Sequence, residues 1–264
     1  MKIVVPVKQV AKLDDEYRFD GGASVERDYL DWDVNEWDNF SLEAALAIRD
    51  SLGDGAHEVV VTTVGPVDAE ETLLSCLAKG ADRAVRIWDG SLDEVDPLAV
   101  ARVLASLIRS EAPDLVLCGV QSSDAAHGAT GVAIAGYLDL THAAVVTEIE
   151  FDPQAATATL ARELEGGLVE VIQIQTPALL TVQTGINEPR YANLRAIKQA
   201  RDKPMAVFDL AAIGLTADDV WEAAGYRPVS LSAAETKNKA EMLAGPPAAV
   251  AARIVEIVRE GNEA

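Results

Sequence analysis

The chain has 264 residues, enough for one large domain or two small ones, and 49% of them are hydrophobic with few aromatics, so a core of Ala, Val, Leu and Ile can form. Its net charge of −21 argues against partners such as nucleic acid or an anionic membrane surface, which clustered Lys and Arg would recognise. No apolar run approaches the length of a membrane span.

Met1 leads straight into Lys2-Ile-Val-Val-Pro-Val-Lys8, which predicts a buried parallel strand and a cytoplasmic product without a signal or transit peptide. Pro6 lacks a ladder donor, so it belongs at a sheet edge or at a strand end close to a ligand. From Asp14 to Asp38 there are ten acidic residues around a Gly21-Gly22 turn, which reads as a solvated excursion. An amphipathic helix follows over 42–52, with Ser41 or Asn39 as its N-cap. Glu58 to Pro66 is a second strand, Ala69 to Lys79 a helix closed by Gly80, and Arg83 to Trp88 a third strand. Leu98 to Arg109 is an apolar helix, Asp114 to Val120 a fourth strand, and Gly131 to Leu138 an Ala/Gly-rich helix. Strand and helix alternate four times, the pattern of a doubly wound, Rossmann-like, mainly parallel α/β sheet. Cys76 and Cys118 fall in a predicted helix and strand, as small buried residues of a reducing compartment rather than a disulfide pair.

The pattern then changes. Segments 144–151, 158–164 and 168–175 alternate in polarity and are joined by short turns, the last at Gly166-Gly167, which describes an antiparallel meander with one wet face. Pro177 to Val182 is a strand returning to the main sheet, and 192–203 a short basic helix. The domain is expected to span 1–214. Residues 215–264 are polar and Ala-rich, broken at Gly245-Pro-Pro247 before a last helix over 248–259, and form an extended C-terminal arm that lies on something else.

Two features carry chemistry. The turn from the fourth strand into the Gly131 helix is rich in Gly, Ser and Thr, and a strand-to-helix loop of that kind offers free N–H groups and a helix dipole to a phosphate. Ser122, Ser123, Asp124 and Thr130 would supply hydroxyls and a carboxylate, and the amides of 126–130 would face the phosphate. It is neither a Walker loop nor Gly-x-Gly-x-x-Gly, and a tight turn that permits close packing is the other reading. The second feature is the basic helix, where Arg190, Arg195, Lys198, Arg201 and Lys203 stand against Glu188 and Asp202. Leu194 and Ile197 share a face there, either packed on the core or exposed as an apolar anchor inside a basic rim. His57, His127 and His142 make no catalytic set, metal-ligand spacing is missing, and no nucleophile elbow occurs, so a binding or carrier role fits better than an enzyme.

Lys2-Ile-Val-Val-Pro-Val-Lys-Gln9, Asp33-Val-Asn-Glu-Trp37, Ala78-Lys-Gly-Ala-Asp-Arg-Ala84, Gly119-Val-Gln-Ser-Ser-Asp124, Arg162-Glu-Leu-Glu-Gly-Gly167 and Asn187-Glu-Pro-Arg-Tyr-Ala-Asn-Leu194 resemble the β subunit of electron-transfer flavoprotein over nearly the whole chain. The likeness is greatest to the bacterial type that serves trimethylamine and related amine dehydrogenases. The resemblance implies an αβ heterodimer carrying electrons from a flavin dehydrogenase to a quinone oxidoreductase-type acceptor. It implies FAD held mainly by the α subunit and a structural AMP in the β subunit, with the C-terminal arm packed on the α subunit.

By position, it places AMP against Pro6, against Asn35, Glu36, Trp37 and Asp38, and against Val64. The same carry-over takes in Gly119, Val120, Gln121, Ser122, Ser123 and Asp124, then Ala126, His127, Gly128, Ala129 and Thr130. Pro6 stands where a small residue, often Ala, is usual, and there and at Val64 a main-chain contact is implied. The resemblance also gives 187–203 as the loop that recognises the dehydrogenase, with Leu194 as anchor and Tyr191, Arg195, Ile197 and Lys198 around it. It sets Leu13 and Glu163 near the flavin domain of the α subunit. Two other readings stay open: a flavin-bifurcating relative with a second FAD in place of AMP, and a stand-alone ATP-binding or hydrolysing protein on the same sheet, for which a phosphate-reactive motif is lacking.

Overall fold

The computed structural model describes residues 1–12, 30–93, 95–227, 229–230 and 242–262. Leu13 and most of the acidic stretch lie outside them. In chain order the elements are β1 (Lys2–Pro6), β2 (Gln9–Ala11), β3 (Trp32–Val34), α1 (Glu36–Ser51), β4 (Glu58–Val64), α2 (Ala69–Lys79), β5 (Arg83–Ile87), α3 (Pro97–Glu111) and β6 (Leu115–Gly119). There follow α4 (Thr130–Leu138), β7 (Thr141–Asp152), β8 (Thr157–Leu164), β9 (Leu168–Gln175), β10 (Ala178–Val182), α5 (Leu194–Ala200), β11 (Met205–Phe208), α6 (Ala217–Ala223) and α7 (Pro247–Asn262).

Among the described residues the main sheet runs β11-β5-β4-β1-β6-β10-β7-β8-β9, and β2 pairs with β3 in a small separate sheet. The strands from β11 to β7 are parallel, and β7, β8 and β9 form the expected antiparallel meander. Because side chains alternate along a strand, the central β1 feeds both faces. Ile3 and Val5 join Leu42, Leu46, Leu73 and Leu77 of α1 and α2 on one face. Val4 joins Leu104, Leu107 and Ile108 of α3 and Ile134 of α4 on the other. Each such side chain contributes about 1.5–3 kcal/mol by leaving water, which is why β1, β4, β6 and β10 need no polar face. β10 inserts between β6 and β7, as a strand returning to the sheet. Cys76 and Cys118 are buried and free.

Three expectations change. Helix α1 starts at Glu36, not at Leu42, and Ser41 lies inside it, buried, with its hydroxyl donating to the Trp37 carbonyl. Neither Asn39 nor Ser41 is the cap. Asn35 holds that position without a side-chain cap bond, because its amide is engaged elsewhere. The end of the acidic stretch is not a solvated face either: Val34, Asn35 and Asp38 are buried. The meander is wetter than one face, since Leu168, Val169 and Val171 of β9 are exposed in succession around Glu170 at the sheet's edge. The edge strand β11 is absent from the sequence reading, its four residues being too few to show a period.

Beyond β11, Leu215 and Val220 are buried in the α3 face of the core. In α7, by contrast, Ile254, Val255, Ile257 and Val258 are all exposed. No helix among the described residues is long and apolar enough to cross a membrane.

Candidate functional site: the crevice between β1 and β6

β1 pairs with β4 over its whole length, from Lys2 opposite Glu58 to Pro6 opposite Thr62. Its pairing with β6 stops after Ile3–Leu115 and Val4–Val116, while β6 stays in register with β10 as far as Gly119–Val182. The carboxyl ends of β1 and β6 therefore part, at the point where the chain turns from one face of the sheet to the other. That is where doubly wound sheets receive ligands. The crevice has a volume of about 230 Å³, with Pro6 at the end of β1, Val64 at the end of β4 and Cys118 on its floor.

Two side chains from the start of α1 replace the missing ladder bonds. Asp38 Oδ2 accepts from the Lys8 N–H at 2.7 Å and Oδ1 from the Gly119 N–H at 3.1 Å, so one carboxyl ties together the chain leaving β1 and the end of β6. Asn35 Nδ2 donates to the Gln121 carbonyl at 2.8 Å, and its Oδ1 accepts from the Ser123 N–H at 3.1 Å. Burial pushes the Asp38 carboxyl up to about 7, against the Lys8 N–H, the Asn35 side chain, the Gly119 N–H and the Lys8 charge. Gly119 is a forced choice here: a Cβ on it would stand 2.6 Å from Trp37 Cβ and would also meet the Asp38 carboxyl.

The loop then runs over the mouth of the crevice. Lys8 Nζ, on the crevice wall, binds both oxygens of Asp124 at 2.7 Å. Burial raises Asp124, but the hydrogen bonds from Lys8 and Ser122 and the Lys8 charge outweigh it and hold the carboxyl below its ordinary range. Ala126 and Gly128 both take positive φ, flanking His127. α4 begins at Thr130 behind Ala129, with no side chain capping its first N–H groups. Those donors and the helix dipole suit an anion. The close-packing reading of the loop has its residue too, since a Cβ on Gly131 would lie 2.7 Å from Thr181 Cγ2.

Of the positions singled out in the sequence, Pro6, Asn35, Asp38, Val64, Gly119, Val120, Gln121, Ser122, His127, Gly128, Ala129 and Thr130 line the crevice together. Glu36 is exposed, Trp37 packs behind Gly119 with its indole donating to Gln183 Oε1, and Ser123 and Asp124 hold the loop from outside. Lys8, Thr63, Val95, Pro97, Val100, Leu104 and Tyr226 also line it. Apart from Lys8, which falls in the 2–9 segment, no local motif marks them; they arrive through strand order, at and before α3, and from beyond α6.

The basic segment lies elsewhere. Arg190 is gripped by both oxygens of Glu43 and by Asp50, and Asn193 Oδ1 caps α5 by accepting from Ala196 N–H. At the far end Ala200 is buried and Lys203 Nζ donates to the Leu77 and Ala81 carbonyls. Between these anchors Tyr191 is 98% exposed, Leu194 81% and Ile197 47%, so the apolar pair does not pack on the core. Arg195 and Lys198 are exposed beside them, and Glu163 is exposed on β8.

A family model described as electron transfer flavoprotein domain matches residues 23–213. The chain is 47% identical over 261 residues, 98% of either chain, to an electron transfer flavoprotein subunit beta of Methylophilus methylotrophus. The chain is an electron-transfer flavoprotein β subunit by family. It is also 36% identical to the β subunit of Bradyrhizobium diazoefficiens over 81% of this chain and 84% of that one, and 29% identical to that of Bacillus subtilis over 98% of both. For an electron-transfer flavoprotein β chain, the crevice and the anchored loop are then the two surfaces to explain. Among its described residues no group of three or more His, Cys, Asp or Glu could hold a metal.

Proposed function

We propose that this chain is the β subunit of an αβ electron-transfer flavoprotein, a cytoplasmic electron carrier and not an enzyme, which holds AMP between β1 and β6 and docks a flavin dehydrogenase through residues 187–203. The observation that carries the AMP reading is the parting of β1 and β6 in front of an uncapped α4. The residues present fit the group. The N–H groups at the start of α4 suit a phosphate, Val64, Val95, Val100 and Leu104 offer an apolar wall to a base, and Lys8 with Asp124 keeps the rim near neutral. Glu36, Trp37, Ser123, Asp124 and Ala126 act behind or around the cradle.

FAD, held mainly by the α subunit, would supply the redox chemistry. This chain's part is to position: Leu194 and Tyr191 meet the dehydrogenase, Arg195 and Lys198 form a basic rim in an acidic protein, and Glu163 faces the α subunit's flavin domain. We favour an amine dehydrogenase as donor, on the likeness of 35–38 and 119–124 to the type that serves such enzymes, and a quinone oxidoreductase-type acceptor. Of the expected arm, 215–264, the part up to α6 packs on the core, and α7 reaches the α subunit through its exposed apolar side chains.

Denaturing the purified heterodimer and counting released nucleotides tests this. One AMP and one FAD per heterodimer is the expected result. Two FAD would replace it with the bifurcating arrangement, and ATP turnover by the isolated chain would revive the hydrolase.

A further inference from the structure

Tyr226 enters the crevice from a distant part of the sequence, just past α6, and its position is determined by three contacts. Asp96, buried, caps α3 with Oδ1, accepting from Ala99 N–H at 2.9 Å. Its Oδ2 accepts from the Gly225 N–H at 2.6 Å and the Tyr226 N–H at 3.1 Å. Gly225 lets the backbone come this close, since a Cβ there would lie 3.1 Å from Leu98 Cδ1 and 3.3 Å from Asp96 Oδ2. On the next residue, the Arg227 guanidinium stacks 4.2 Å above the Trp221 ring and ties the segment back to α6. So anchored at the start of α3, the Tyr226 hydroxyl lies 2.9 Å from Nε2 of His127, on the opposite wall.

We propose that the Tyr226–His127 pair is a latch across the mouth of the crevice, which controls entry to it and retains the ligand inside. Both side chains line the crevice and both are exposed, so the contact lies at its opening to solvent. His127 stands between two residues of positive φ, Ala126 at 51° and Gly128 at 60°, a backbone that turns the ring toward Tyr226. The ring centroids are 5.8 Å apart and tilted by 50°, so the hydroxyl–imidazole hydrogen bond, not stacking, makes the closure. The root of the latch is also where the chain leaves the core for its C-terminal arm. The identity of the retained ligand as AMP rests on the function proposed above.

Two measurements keep the latch and its ligand apart. In a Cys76→Ala background Cys118, 5% exposed on the crevice floor, is the one remaining thiol of this chain, its labelling read by mass spectrometry of this subunit. With the protein as purified, its labelling by a small neutral thiol reagent should quicken about fivefold in Tyr226→Phe, which loses one hydrogen bond. In Tyr226→Ala, which also loses the ring, the rate should rise by about a further tenfold. Exchange of bound nucleotide against labelled AMP should accelerate in the same order. Unchanged labelling in both variants overturns the latch, and so does faster labelling with unchanged AMP exchange. If labelling rises in the stated order while neither parent nor variants bind AMP, the closure stands and the nucleotide reading falls.

Discussion

Asp38 shows how much rests on one carboxyl. It accepts from two backbone N–H groups that the parting of β1 and β6 would leave unpaired. Asp38→Ala strands both donors, and with about 1–3 kcal/mol for each buried unsatisfied group it should cost about 2–6 kcal/mol, read by denaturant unfolding. The sign with pH follows from burial. Folded Asp38 takes up its proton near 7 and the unfolded chain only near 3.8, so its contribution is fully present below 3.8 and is lost as pH rises through about 7. Glu111 runs the other way. Held low chiefly by Arg83 and also by Lys2, it stabilises above the ordinary carboxylate range and loses that only as pH falls through its lowered value. Between about pH 5 and about pH 8 the Asp38 effect is separate from that of Glu111, and stability should decline across that window more steeply in the parent than in Asp38→Asn, which keeps every other titrating group. Equal slopes would assign the titration to another group.

At the scale of elements, α5 differs from the helices that cover the sheet in presenting its apolar residues outward. Seven residues cannot hold themselves as a helix in water, so the helix depends on its anchors: Arg190 on Glu43 and Asp50 before it, Asn193 as cap, Ala200 and Lys203 after it. Such a base makes the exposed Leu194 a rigid anchor rather than a mobile one. Leu194→Ala should leave stability within about 0.5 kcal/mol of the parent, as exposed substitutions do. It should slow electron transfer from the dehydrogenase about tenfold or more, as loss of a central interface residue does. Stopped-flow flavin reduction and thermal melting decide it together, and a large stability loss with normal transfer would return Leu194 to a structural role.

For the whole molecule, the sheet is complete without its C-terminal helix. The two faces of the sheet are covered by α1 and α2 and by α3, α4 and α6, whereas α7 leaves Ile254, Val255, Ile257 and Val258 in water. Deleting 242–264 should leave the melting of this chain unchanged while abolishing co-purification with an α subunit, read by size-exclusion chromatography with light scattering. Melting that drops with the deletion would put α7 in the core of this chain.

The alternation of apolar strands with amphipathic helices, the closing Gly80 and the Gly166-Gly167 turn are local patterns, and they determined the order of the long strands and helices, the meander and the strand-to-helix loop at 119–130 from sequence alone, but not the short β2, β3, α6 and β11. They also singled out Leu194, because a basic, apolar-centred segment stands out in an acidic chain. Local pattern misplaced the start of α1, since Asn35 and Asp38 spend their side chains on Gly119, Gln121 and Ser123, partners more than eighty residues away. The tertiary structure alone decided that β1 and β6 part after Val4. The same holds for Lys8, Val95, Val100 and Tyr226 converging on the gap, because such convergence depends on strand order and helix placement, which no sequence period encodes.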